Sequence, residues 1–159
     1  MKHFSLIAVI LMLFCACSSG SRSFVINDVG YNAEASDPQI GRCLEIQVSY
    51  TAKGYAGQDL IVAMAFADEN GNPLIDIDDE WNVLGQKGGQ VGMQGPFHVE
   101  QNNETAVMTL KFPIKELQIK GTKPVQLAFA LIIATSEHGE VTEDTIICST
   151  DGYRFTAKK

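Results

Sequence analysis

LIVAMAFA, residues 60–67, constrains the fold more strongly than any other segment of the chain. In a strand, successive side chains point to opposite faces of the sheet. One face of this segment would carry large apolar side chains from Leu60 to Phe66, and the other would carry Ile61 and alanines. Because both faces are apolar, the sequence predicts a central strand that is covered on both sides, with close packing against the alanines.

The segments on both sides of 60–67 also have the composition of short strands. Apolar residues alternate with polar ones in 43–52 and 105–112, and turn-forming residues separate the segments. Further strands are predicted at 24–31, 97–100, 125–134, 141–149 and 153–156. Seven to nine strands, with no long segment of helical periodicity, predict an all-β fold, an antiparallel β-sandwich of the immunoglobulin-like or C2-like kind with almost no helix.

Three connections carry turn signals. The segment 32–42 is rich in turn-forming residues and predicts an irregular connection. Asn70 and Gly71 predict a tight hairpin turn after the central strand, because glycine adopts the positive φ that such a turn needs. Pro113 at the start of 113–117 predicts a single helical turn.

The first residues, MKHFSLIAVILMLFCACSSG, have the composition of a secretion signal. Lys2 gives a positive start, and the apolar run that follows is too short to span a bilayer but typical of a signal-peptide core. A small residue, Ala16, then precedes Cys17 and a stretch rich in serine and glycine. This arrangement resembles the lipobox of bacterial lipoproteins, in the relaxed form found in Bacteroidetes, because Phe14 stands at the usual leucine position.

The resemblance implies cleavage before Cys17 and covalent acylation of that residue, which anchors the chain in a membrane. The predicted organisation is a lipoprotein signal peptide at 1–16, a tether at 17–23 and one β-sandwich domain at 24–159. Ser18 after the cysteine implies an outer-membrane lipoprotein, and the lack of an acidic run there favours the periplasmic leaflet over the cell surface. An ordinary cleaved signal with an incidental cysteine is the alternative.

Once the signal peptide and Cys17 are set aside, Cys43 and Cys148 remain. In an oxidising envelope compartment a disulfide between them is one hypothesis, and two reduced thiols that pack as small apolar groups are the other. The apolar phase of the predicted strand is carried by Leu44 and Ile46, so Cys43 should point to the opposite face. A bond across the sandwich core is therefore disfavoured, and a disulfide would join adjacent strands or strand ends.

A set of turn and core residues extends over residues 44 to 155. It comprises AFAxxxGxPL at 65–74, FPxxEL at 112–117, a GxxP turn at 121–124 and YxF at 153–155. This order is similar to that of the β-sandwich accessory domains in small secreted and lipid-anchored proteins of Bacteroidetes, some of which are appended to trypsin-like or caspase-like proteases. The resemblance implies a fold, and it brings no catalytic residues with it.

The segment 74–100 contains the residues that we expect to form a ligand face: Asp76, Asp78, Asp79, Glu80, Trp81 and Phe97. The carboxylates could supply oxygen ligands for Ca²⁺, with Asp76, Asp78 and Asp79 as the weak candidate site, or they could keep an edge segment soluble. An exposed tryptophan beside carboxylates can stack on a sugar ring, whereas a tryptophan in a sandwich more often belongs to the core. His98 has no partner at metal-ligand spacing and is predicted to lie at the surface.

These observations predict a lipid-anchored binding or interaction module of the cell envelope, without enzymatic activity, for a protein partner or a glycan. No cofactor is expected apart from the covalent lipid at Cys17, through which the protein would contact the membrane. The formal net charge of −7 and the lack of basic runs disfavour nucleic acid as a partner. The alternatives are a small hydrolase or protease-associated subunit that uses the carboxylates at 76–80, and a structural subunit of an envelope assembly.

Overall fold

A computed structural model of the chain describes residues 22–83, 88–102, 104–135, 141 and 143–159. The predicted signal peptide, Cys17 and nearly all of the predicted tether lie outside these ranges. The described residues form eight strands, β1 Ser23–Asp37, β2 Gly41–Lys53, β3 Gln58–Asp68, β4 Gly92–Val99, β5 Glu104–Pro113, β6 Val125–Thr135, β7 Ile146–Ser149 and β8 Tyr153–Ala157.

The strands form two antiparallel sheets. One sheet has three strands in the order β1-β2-β5, and the other has five, in the order β4-β3-β6-β7 with β8 also paired to β6. Short 3₁₀ turns occur at Ile114–Leu117, directly after Pro113 as predicted, and at Glu143–Thr145. The part of the chain that the structure describes holds no helix with the length and hydropathy to cross a membrane. The predicted all-β sandwich with little helix is confirmed.

The hydrophobic core lies between the two sheets, because alternate residues of the facing strands are apolar. Its fully buried members include Leu44, Ile46 and Val48 of β2, Leu60, Met64 and Phe66 of β3, Phe112 of β5, and Phe129, Leu131 and Ile133 of β6. Phe66 and Phe112 join the sheets at one end of the core, with ring centroids 4.5 Å apart.

The central position predicted for residues 60–67 is confirmed. β3 is paired with β4 on one side and β6 on the other, and all eight residues are buried. On the face turned away from the core, Ala63 and Ala65 pack with Val83 and Ile132 in a second apolar cluster. Burial on both faces therefore explains why this strand is apolar throughout.

The expectation for 32–42 was wrong. β1 continues to Asp37, paired with β2 from Ser23 to Asp37, and the turn is confined to residues 38–40. β1 is an edge strand whose side chains are mostly exposed. Since water satisfies its polar groups, it needs no apolar alternation, and the pattern used to predict strands was absent.

Two other strand boundaries also differ from the sequence expectation. β4 begins at Gly92 rather than at residue 97, because Gly92 pairs with Ala65 and glycine allows the chains to approach closely. The strand predicted at 141–149 is reduced to Ile146–Ser149, which the second 3₁₀ turn precedes.

Candidate functional site

The chain leaves β3 through a tight turn. The carboxylate of Asp68 accepts hydrogen bonds from the backbone N–H groups of Asn70 and Asn72, at 2.9 and 2.8 Å, and from the Asn72 side chain at 2.9 Å. The bonds from Asn72 chiefly hold the pKa of Asp68 below its ordinary value. Gly71 has a φ of 84°, so the predicted hairpin turn is confirmed.

Residues 74–83, the acidic loop, are organised by Asp76, which is only 4% exposed. Its Oδ2 accepts hydrogen bonds from the backbone N–H of Trp81 at 3.1 Å and from Nδ2 of Asn82 at 3.2 Å. Burial alone would raise the pKa of Asp76, but these bonds and those from Asp78 outweigh it and lower the pKa. The ionised carboxylate of Asp76 therefore points into the acidic loop and joins its two halves by hydrogen bonds.

The other carboxylates of the acidic loop lie at the surface. The Asp79 carboxylate accepts a hydrogen bond from the backbone N–H of Gly88 at 2.7 Å, and that of Asp78 accepts one from the N–H of Glu80 at 3.3 Å. Within the described ranges, no group of three acidic, histidine or cysteine side chains is arranged to hold a metal ion. The hypothesis of a calcium site at Asp76, Asp78 and Asp79 thus gains no geometric support.

Trp81 is half-buried, and its ring stands edge-on against the fully buried Phe112, with centroids 5.2 Å apart and an interplanar angle of 78°. This position fits a tryptophan of the core better than a platform for a sugar ring. Phe97 instead contacts Phe24 and Tyr50, with centroids at 6.1 and 5.6 Å.

Trp81 and Phe97 do not form one face. The carbonyl of Trp81 accepts a hydrogen bond from the N–H of Gly92 at one end of β4. Phe97 lies about 17 Å further along that strand. The structure therefore divides the predicted ligand face between the two ends of the sandwich.

Sequence reasoning missed the residues that the acidic loop exposes. Ile75 and Ile77 flank the buried Asp76, and their side chains are 52% and 82% exposed. The alternation of isoleucine and aspartate in this segment favours buried isoleucines. The structure shows the reverse, because the carboxylate finds hydrogen-bond donors inside the loop.

The acidic loop adjoins the 3₁₀ turn after β5. The Nε2 of Gln118 donates a hydrogen bond to the carbonyl of Ile75. Lys115 forms a salt bridge with Glu116 at 3.0 Å. That bridge raises the pKa of Lys115, and the charges of Glu80 and Asp78 raise it further. Aliphatic and acidic side chains thus share one end of the sandwich.

Cys43 and Cys148 are not bonded to each other in the structure, and they lie on strands of different sheets, β2 and β7. The expectation that a disulfide would join adjacent strands or strand ends applies only if the bond forms, and it stays a prediction. Cys43 does lie opposite to the core face of β2, as predicted, and it is fully buried. Asp37 of β1 and Lys111 of β5 form a salt bridge of 2.9 Å that crosses β2 beside it.

His98 lies at the surface, as predicted. Its Nδ1 is 2.8 Å from Oδ1 of Asp59, its cross-strand neighbour on β3. Both side chains are more than half exposed, which is typical of a surface pair of small energetic weight.

Comparisons of the chain with protein-family models, with curated proteins and with solved structures found no match. The observations define the protein at the level of its fold, an antiparallel β-sandwich with a hydrogen-bonded acidic loop between its third and fourth strands. That loop exposes two isoleucines.

Proposed function

We propose that the protein is a lipid-anchored binding module of the cell envelope that recognises a protein partner through the acidic loop. The observation that carries the proposal is the 82% exposure of Ile77 on a loop that Asp76 holds in place. A segment that is ordered before binding loses little conformational entropy when it binds. An aliphatic side chain on such a segment suits the buried centre of an interface.

The charges around Ile77 indicate the chemistry of the partner. Asp78, Asp79 and Glu80 are exposed next to it, and the whole chain carries a formal net charge of −7. Complementary charge favours a partner surface with an apolar depression surrounded by lysine or arginine. A glycan is less well supported, because the Trp81 ring packs against Phe112.

The start of β1 and the acidic loop lie at opposite ends of the three-stranded sheet. β1 begins at Ser23, which pairs with Lys53 at one end of β2. Trp81 contacts Phe112, which pairs with Leu44 near the other end. These ends are about 30 Å apart along β2. A lipid on Cys17 would therefore leave the loop facing away from the membrane, toward the periplasm if the anchor is in the inner leaflet of the outer membrane.

The hydrolase hypothesis has less support. A carboxyl group that acts as a general acid near neutral pH needs a raised pKa. The pKa of the buried Asp76 is lowered, and its Oδ2 accepts hydrogen bonds from the acidic loop. These properties fit a structural role.

A photo-crosslinking amino acid at position 77 of the full chain, in intact cells, tests the proposal. Position 107 on β5 is the matched control, because Val107 is also aliphatic and 65% exposed. We expect a discrete adduct with another protein from position 77, a weaker one when Glu80→Lys is added, and none from position 107. Equal adducts from both positions, or none from position 77, would contradict the proposal.

A further inference from the structure

A groove of about 360 Å³ lies on the outer face of the five-stranded sheet. Its floor consists of Ala65 and Ala67 of β3 and Ala128 and Ala130 of β6. The strand register sets Ala65 opposite Ala130 and Ala67 opposite Ala128. Because these four side chains are single methyl groups, the floor is a small apolar depression between larger neighbours.

Opposite charges stand on the two sides of the groove. The turn after β3 places Asp68 and Glu69 on one side, and β8 places Arg154 on the other, with Asp151 near it in the lining. Arg154 is the register partner of Ala128. Since β3, β6 and β8 are neighbouring strands, the two sides are about 10 Å apart.

Three of these charges are available to a ligand. Asp68 is engaged by the hydrogen bonds of its turn. Among the residues that the structure describes, Glu69, Asp151 and Arg154 take part in no salt bridge, and all three are exposed. The backbone carbonyl of Arg154 accepts a hydrogen bond from the hydroxyl of Tyr31 at 3.0 Å, which fixes β8 at this position.

We propose that this groove binds a short peptide of two or three residues with small apolar side chains. Its terminal ammonium group lies toward Glu69 and its terminal carboxylate toward Arg154, whose planar guanidinium can donate two parallel hydrogen bonds to a carboxylate. Three extended residues span about 10 Å, the distance between the two sides. Methyl-sized side chains fit the alanine floor, whereas a sugar would find no aromatic ring there to stack on.

The proposed ligand can be tested with trialanine as the probe and with the full chain, labelled at its alanine methyl groups and purified in detergent. We expect saturable NMR shifts of the four floor methyl groups. Trialanine that is acetylated at its N-terminus and amidated at its C-terminus should bind at least about tenfold more weakly, because both charge pairs are lost.

Three variants sharpen the test. Arg154→Gln and Glu69→Gln should each raise the dissociation constant several-fold, and both positions are exposed, so the fold should be retained. Arg42→Gln is the matched control, since Arg42 lies on the three-stranded sheet and pairs with Glu34. The proposal is overturned by the absence of saturable shifts, by equal binding of the capped peptide, or by an equal loss in Arg42→Gln. The groove shares no residue with the acidic loop, so each proposal can fail without the other.

Discussion

The carboxylate of Asp76 accepts a hydrogen bond from the backbone N–H of Trp81 at 3.1 Å, and this contact closes the acidic loop on itself. It places a charged group inside the loop and leaves the neighbouring Ile75 and Ile77 in water. The arrangement exchanges the usual positions of polar and apolar side chains.

Replacement of Asp76 by alanine should lower the free energy of unfolding by about 1–3 kcal/mol, because the N–H of Trp81 and the amide of Asn82 lose a buried acceptor. Urea unfolding of the purified protein measures this change. Glu80→Ala is the control and should stay within about 0.5 kcal/mol of the wild type, since the Glu80 side chain is exposed. Equal losses in the two variants would show that Asp76 does not organise the loop.

Stability should depend on pH through Asp76. Its pKa in the folded protein is lower than the ordinary value of 3.8, so its ionised form stabilises the fold above that value. This contribution is lost as the pH falls through the folded pKa. The free energy of unfolding should therefore decrease more between pH 6 and pH 3 in the wild type than in Asp76→Asn. Asp37 and Asp68 also have lowered pKa values, but both residues are present in the wild type and in Asp76→Asn. Their contributions to the pH dependence therefore cancel when the two proteins are compared. Parallel pH curves would refute this assignment.

Gly92 should not tolerate a side chain. A Cβ at this position would collide with the carbonyl oxygen of Met64 and with a methyl group of Val83. Gly92→Ala should therefore destabilise the protein by about 1–3 kcal/mol and displace the Val83 side chain, which packs with Ala63 and Ala65. Gly95→Ala is the matched control on the same strand, because a Cβ there meets no atom within 4 Å. Thermal unfolding of both variants separates the two positions, and a neutral Gly92→Ala would contradict the close approach.

The Cys43 thiol should react slowly in the folded protein. It is fully buried beside the salt bridge of Asp37 and Lys111, and burial raises its pKa, which disfavours the reactive thiolate. Peptide mapping after iodoacetamide treatment should show less labelling at Cys43 than at the half-buried Cys148.

Lys111→Met should slow the labelling of Cys43 further, because it keeps the aliphatic cover but removes the charge that lowers the pKa of this thiol and leaves the opposing charge of Asp37 unpaired. Lys115→Met is the control and should leave the rate unchanged, since Lys115 pairs with Glu116 on the 3₁₀ turn. A peptide pair that is linked through Cys43 and Cys148 would instead establish the disulfide that the structure lacks.

Much of the fold follows from the apolar pattern of the sequence. Four strands bury one face or both: β2, β3, β5 and β6. Burial requires apolar side chains at alternate positions, or at all positions, and this pattern is visible in the sequence. The second half of β1 and the first half of β4 lack this pattern. The second half of β1 is exposed at an edge of its sheet. The first half of β4 begins at Gly92, and a glycine is needed there because the backbone lies close to the Met64 carbonyl, a contact that only the paired strands reveal.

The candidate sites were less accessible to sequence reasoning. Asp76 was predicted as one of several equivalent surface carboxylates, and only its hydrogen bonds to Trp81 and Asn82 distinguish it. The groove could not be predicted, because its floor depends on the register that sets Ala65 opposite Ala130. The prediction of a lipid anchor at Cys17 concerns residues outside the described ranges and stays a prediction, which mass spectrometry of the mature N-terminus would test.

Whether the acidic loop is a preformed contact surface is tested most directly by the backbone order parameter of Ile77, measured by ¹⁵N relaxation in the unbound protein. If the loop is fixed before it meets a partner, this order parameter should be about 0.85, similar to that of the strands. Asp76→Ala should lower this value, whereas Glu80→Ala should not. A value below about 0.6 in the wild type would contradict the account, because Ile77 would then belong to a flexible loop and not to a preformed contact surface.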